Sequence, residues 1–383
     1  MSNAKLKKFF DDIDSDIDSA KHQDDLISII QKVKQCDMPL RYDYTLPYFV
    51  LGLLLTSATV LFSLKYYFYQ NINTNGILLL IAIFAIVFIN LIVAVLVRKK
   101  NIAFICGMGL FWLFSQSFEG IQTHMIVLTV IFAISCTCVI VFIVNRKNTL
   151  KNLATEIFEK DTLFDNALKP VPFDPTEKAE QLGKCFHEFK RGNYSREIKS
   201  LNSGSYSGNE HMFDFHCYNF HYVDRTKSSD NHAKYNHYHR YGIYLSFKFV
   251  SNLAILNQPI STINGEKFRS ASNKFNKLFS VKAETEIIAA KFLKPAIVIA
   301  IEEITQEFSE LNFEFNSDAQ LCMSFSNKDL LLSSNKRQYG LDDPDNFINE
   351  IKMSQKIPKL EKALEHIHTL MKYSDNNFLE NNS

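Results

Sequence analysis

Histidine is the residue type that this sequence gathers most tightly. Six of its 11 histidines fall between positions 211 and 239: His211, His216, His221, His232, His237 and His239. His237 and His239 are two apart, so on a strand they would share one face. Paired imidazoles of that kind can ligate zinc or another transition metal. His211, His216 and His221 are spaced by five, which alternates faces on a strand and scatters them around a helix. No cysteine joins them in a ligand pattern, since Cys217 stands alone. The competing readings are a polar, partly protonated loop beside aromatic residues, and a histidine response to pH. The metal reading rests on His237 and His239.

Other chemistry is thin. The 7 cysteines contain no Cys-x-x-Cys pair and read as reduced, mostly buried thiols. There is no Walker loop, no dinucleotide glycine motif, no His-Glu-x-x-His and no Gly-x-Ser-x-Gly. His187-Glu188 lacks its second histidine, and Glu302, Glu303, Glu307 and Glu310 read as a solvated helix face. Asp12, Asp14 and Asp16 have the opening spacing of a calcium loop. Ile17 stands where that loop needs glycine and Gln23 where it needs glutamate, which excludes it. No catalytic residue and no cofactor is implied. A formal net charge of +1 gives no pointer to nucleic acid.

The elements that would position these residues divide by composition. Apolar residues crowd into positions 46–144. Stretches 46–64, 77–97 and 125–144 carry no charge and approach the length of about 20 residues that crosses a hydrocarbon core. A weaker stretch, 102–118, reads as a fourth span, with a re-entrant segment as the alternative. Lys and Arg gather before the first span, after the second and after the fourth, at Lys32, Lys34, Arg41, Arg98, Lys99, Lys100, Arg146, Lys147 and Lys151. That bias predicts two transmembrane hairpins with both termini cytoplasmic, and a multi-pass protein of a bacterial inner membrane. The lipid bilayer is then one partner.

Residues 1–45 predict a cytoplasmic amphipathic region, with Leu6, Phe10, Ile13, Ile17 and Ala20 as its apolar stripe. Residues 150–373 predict a cytoplasmic α+β domain with a mainly antiparallel sheet, and 374–383 a polar tail. Within that domain a helix is expected over 176–190 and strands over 212–223, 241–250, 253–256, 311–315, 320–325 and 330–333. The polar run 224–238 reads as a long hairpin loop, and 202–209 as a Ser/Gly loop. Helices are expected over 286–293, over 296–308 after Pro295, and over 357–373. The terminal stripes could pair with each other or across a homo-oligomer, or each could pack on its own sheet.

One region resembles a known family. Ser272-Asn-Lys-Phe275-Asn-Lys-Leu-Phe279-Ser-Val281, then Ala290, Leu293 and Pro295, then a strand ending near Leu332, are similar to an uncharacterised bacterial family of membrane proteins, classed as a domain of unknown function. The match covers residues 268–333. Thr285 and four spans depart from the acidic residue and two spans of that family. The resemblance implies membrane helices followed by a cytoplasmic α+β domain, and assigns no catalytic residue. On a helix Phe275 and Phe279 would share one face, as core.

The function expected from these readings is a membrane-anchored binding or scaffolding module, with a protein partner or a second copy. The alternatives are a membrane-coupled sensor or defence component, and a metal-dependent enzyme using the histidine-rich loop.

Overall fold

The structure, a computed structural model, describes residues 3–45, 47–52, 55–56, 123–227 and 233–375, with side chains from Ser135 onward in the helix that begins at Thr123. The chain divides into two compact units: Met1–Ser19, Ser28–Thr155 and Gly340–Pro344 in one, Ala20–Ile27, Glu156–Tyr339 and Asp345–Ser383 in the other.

The first unit contains α1 (Asn3–Ser19), whose stripe Leu6, Phe10, Ile13 and Ile17 is buried. Phe10 meets Tyr42 edge to face at 5.7 Å, and the Arg146 guanidinium lies 4.7 Å over the Tyr42 ring. Asp16, on the acidic face, pairs with Lys32 of α2 (Gln23–Lys34) at 2.6 Å.

Among the described residues no helix is long and apolar enough to cross a membrane. That finding corrects the four-span reading, and with it the multi-pass inner-membrane placement. Stretches 77–97 and 102–118 lie outside the described residues, as does most of 46–64. Stretch 125–144 falls in α3 (Thr123–Asp165). Apolarity along a helix reports exclusion from water, which a protein interior supplies as well as a bilayer.

The second unit is an α+β fold on one nine-stranded antiparallel sheet. Its strands are β1 (Lys169–Pro170), β2 (Ser195–Ser207), β3 (Met212–Lys227), β4 (Ala233–Ser246), β5 (Leu253–Leu256), β6 (Glu266–Phe268), β7 (Ser280–Ala283), β8 (Asn312–Phe315) and β9 (Gln320–Phe325). Their spatial order is β1-β2-β3-β4-β9-β8-β5-β7-β6. The helices are α4 (Pro175–Cys185), α5 (Asn273–Leu278), α6 (Glu286–Phe292), α7 (Pro295–Ile304), α8 (Pro344–Ile351) and α9 (Pro358–Asp375), with a 3-10 turn at His187–Lys190.

Local chemistry explains several boundaries. The Asp174 carboxylate accepts from the Thr176 and Glu177 amides and starts α4, with Pro175 in its first turn. The Ser272 hydroxyl accepts from the Phe275 amide and starts α5. Pro295 cannot continue α6 and so opens α7. Phe275 and Phe279 are both buried, with rings 5.0 Å apart.

Each sheet face buries its own core. One face carries Phe215, Cys217, Ile243, Leu245, Met323 and Phe313 against α5, α6, α7 and α9. Ile357 and the α9 stripe Leu360, Leu364, Ile367 and Met371 pack there. The opposite face carries Ile198, Leu201, Tyr218, Phe220 and Cys322 against α4 and the 3-10 turn.

Gly242 is where these layers are tightest. A Cβ on it would collide with the Met323 carbonyl oxygen and lie 2.6 Å from the Tyr218 hydroxyl oxygen. Gly242→Ala is therefore expected to destabilise the fold by about 1–3 kcal/mol, as overpacking does. Urea denaturation checks it; an unchanged midpoint would show that β9 can yield.

Candidate functional site

Strands β3 and β4 run past the helical cover as an arm. β3 continues to Lys227 and β4 begins at Ala233, in continuous register from Phe215↔Leu245 to Lys227↔Ala233. β9 borders β4 only over Tyr241–Ser246, so among the described residues the outer edge of β4 from Ala233 to Arg240 pairs with no strand. On the inner side β2 joins the arm, pairing Ser195 with Val223 and Glu197 with His221. The expected loop over 224–238 is thus mostly strand.

His237 and His239 do share a face of β4, and both are exposed. The register sets His221 of β3 opposite His239, on the same face, with His237 diagonal to it. His221 Nε2 lies 3.1 Å from His237 Nδ1, and the His221 and His239 rings are 4.7 Å apart. His221 Nδ1 is 2.8 Å from Glu197 Oε1, and His239 Nδ1 is 3.0 Å from Asn219 Oδ1. Glu197 Oε1 also takes Lys199 Nζ at 2.8 Å, and with His221 this holds the carboxyl below its ordinary range. Burial, then the neighbouring charge of His221, Lys199 and His237, lowers the pKa of His239. An ionised Glu197 only accepts, so the neutral form of His221 carries its proton on Nδ1 and presents its lone pair at Nε2. His237 Nδ1 then donates to it.

The remaining histidines lie elsewhere. His211 pairs with Asp375 at 2.7 Å, His216 stacks on Tyr244 on the opposite sheet face, and His232 is outside the described residues. Cys217 and Cys322 are buried, and burial pushes the Cys217 thiol up to about 12, which makes it inert at neutral pH. As the side chains stand, no three His, Cys, Asp or Glu among the described residues are arranged to hold a metal ion.

A buried charged centre anchors the root of the arm. Arg240, where β4 leaves β9, is 2% exposed. Its Nε donates to Glu188 Oε1 at 2.8 Å, and its Nη2 to the Glu310 carbonyl at 2.8 Å and Ser324 Oγ at 3.2 Å. Nη1 reaches Glu310 Oε2 at 3.1 Å, and Arg191 Nε shares Glu188 Oε1 at 2.8 Å. Burial alone would raise the Glu188 carboxyl, but the two guanidinium groups outweigh it and hold it below its ordinary range. Glu314 has no such cation. Burial pushes it up to about 7, against the His187 and Glu188 amides that donate to it at 2.6 and 3.0 Å. Both carboxyls are buried, and they tie the 3-10 turn to β4 through Arg240 and to β8 through Glu314.

Sequence reasoning reached His237 and His239 but missed His221, Glu197 and Arg240. The signal for His221 was its odd–odd relation to both histidines across a hairpin, which becomes readable only once the register is known. No family model, curated protein or solved structure matches the chain, so the functional reading rests on this geometry alone.

Proposed function

We propose that the chain is a non-catalytic protein-binding module, and that the arm is its binding element. The observation that supports it is the outer edge of β4 over Ala233–Arg240, which pairs with no strand among the described residues. An open edge offers unpaired amides and carbonyls to an extended segment of a partner, which adds as a further strand. The exposed side chains beside that edge, Tyr235, His237, Tyr238 and His239, supply aromatic and hydrogen-bonding contacts of the kind enriched in interfaces. The scaffold holds this edge out through the Arg240 clamp, which fixes the strand where its neighbour β9 ends.

A photo-cross-linking residue at Asn236 tests the reading in cells that make the chain. The expected result is a discrete adduct with one partner polypeptide. The same cross-linker at Lys178, on α4 and away from the β4 edge, is expected to give none. No adduct at 236, or the same adducts from both positions, would overturn it.

A further inference from the structure

The histidine face of the arm carries a second, independent inference: we propose that the His221–His237 pair binds a divalent transition-metal ion of the zinc class. Three observations converge. The facing nitrogens, His221 Nε2 and His237 Nδ1, are 3.1 Å apart, so a small side-chain adjustment brings them to the roughly 3.3–3.4 Å of two imidazoles on one tetrahedral zinc ion with bonds of about 2.0–2.1 Å. Glu197 binds the other nitrogen of His221, the carboxylate–histidine arrangement that fixes a ligand's tautomer and raises its basicity. Asn219 binds His239 Nδ1 in the same sense, so that His239 Nε2 also carries a lone pair, on a ring 4.7 Å from His221.

The side chains as they stand form a pair rather than a three-ligand cage. The ion is held by His221 Nε2 and His237 Nδ1, the latter after its proton moves to Nε2. The remaining positions go to water, or to His239 once its exposed side chain rotates. Lys199 is bound to Glu197 and so is held away from the ion by its own salt bridge. The site tethers β2, β3 and β4 to one another, and does not depend on strand addition at the β4 edge.

Calorimetric titration of the full chain with zinc chloride at pH 7.5 tests the site. One ion per chain is expected. His237→Ala, an exposed position, is expected to weaken binding at least tenfold, and Glu197→Gln by about tenfold through the freed tautomer. His368→Ala, away from the arm, is expected to leave it unchanged. Far-UV circular dichroism of each variant confirms folding, and the ¹⁵N shift of His221 Nε2 on adding zinc reports ligation directly. Absence of binding by the wild-type chain, or equal binding by wild type and His237→Ala, would overturn the assignment. Neither outcome bears on the Asn236 cross-link.

Discussion

Arg240→Ala is expected to destabilise the fold by about 3–5 kcal/mol, the range found when one partner of a buried ion pair is removed. The cost comes less from the lost attraction than from what remains. Glu188 is 1% exposed and would keep only Arg191 as a counter-charge, while Asn312 Nδ2 at 3.4 Å offers it little. Glu310 would lose two of its contacts and Ser324 one. Arg240→Met combined with Glu188→Gln removes the central pair, leaves Arg191 on the Pro259 and Gln258 carbonyls, and is expected to recover part of the loss, because a neutral side chain needs no compensating cation. Urea denaturation of the three proteins decides it. A single variant within 1 kcal/mol of wild type, or a double variant no better than the single, would show that the centre is not the clamp described here. If the arm depends on this clamp, its amides should also exchange faster in Arg240→Ala than those of β8 and β9.

The same residue shows where sequence reasoning stops. Arg240 is one cation in an aromatic, histidine-rich run. Nothing local marks it as buried, because its partners Glu188 and Glu310 are far away in the chain and reach it only through the sheet. Elements whose stability is local were readable. Leu253–Leu256 and Gln320–Phe325 are short apolar runs between polar turns, and both are strands. Pro295 punctuates α6 and α7 where its missing amide requires. β2 was not readable, since SREIKSLNSGSYS has the Ser and Gly content of a loop. It is a strand because β3 supplies its ladder and because Ile198 and Leu201 find a core. The arm failed for a related reason. Solvent meets both of its faces over 224–227 and 233–238, so the run lacks the alternation that marks a half-buried strand. Leu330–Ser333 failed in the opposite sense. Its apolar residues suggested a strand, but Leu330 alone is buried, Leu332 is 66% exposed, and the segment is a turn. The histidine pair was legible as a pair, whereas its completion by His221 and Glu197 required two cross-strand registers that composition does not encode.

Asp161→Asn is expected to stabilise the protein by about 2–4 kcal/mol above neutral pH and by little near pH 4, an estimate that takes each pKa unit of displacement as about 1.4 kcal/mol and allows for incomplete desolvation. Asp161 of α3 is fully buried, and its Oδ2 has no hydrogen-bond partner among the described residues. Its Oδ1 accepts from Gln23 Nε2 at 2.9 Å, and the same amide reaches the Ile351 carbonyl at 2.8 Å. Asp165 lies alongside, accepting from the Gln355 amide at 2.7 Å. Burial is the main cause that pushes the Asp161 carboxyl up to about 7; Asp165 adds to it, and the Gln23 bond opposes it. The folded chain therefore holds a proton that the unfolded chain releases near 3.8. The contribution of the neutral acid is complete below that value, is lost as pH rises toward 7, and is absent above it. Asparagine keeps an oxygen for Gln23 and never ionises, so the difference between the two proteins reports Asp161 together with its coupling to Asp165. Glu314, also raised to about 7, and His366, held neutral by burial to about 3, tilt both curves alike and cancel in the difference. Thermal unfolding of both proteins from pH 4.5 to 8.5 should give midpoints that diverge progressively through pH 5–7 and then run parallel. Midpoints that stay parallel throughout would mean that water reaches Asp161 in the folded state and that its carboxylate is solvated there. Midpoints that converge as pH rises would mean that the group is stabilised in its ionised form, with Gln23 outweighing burial.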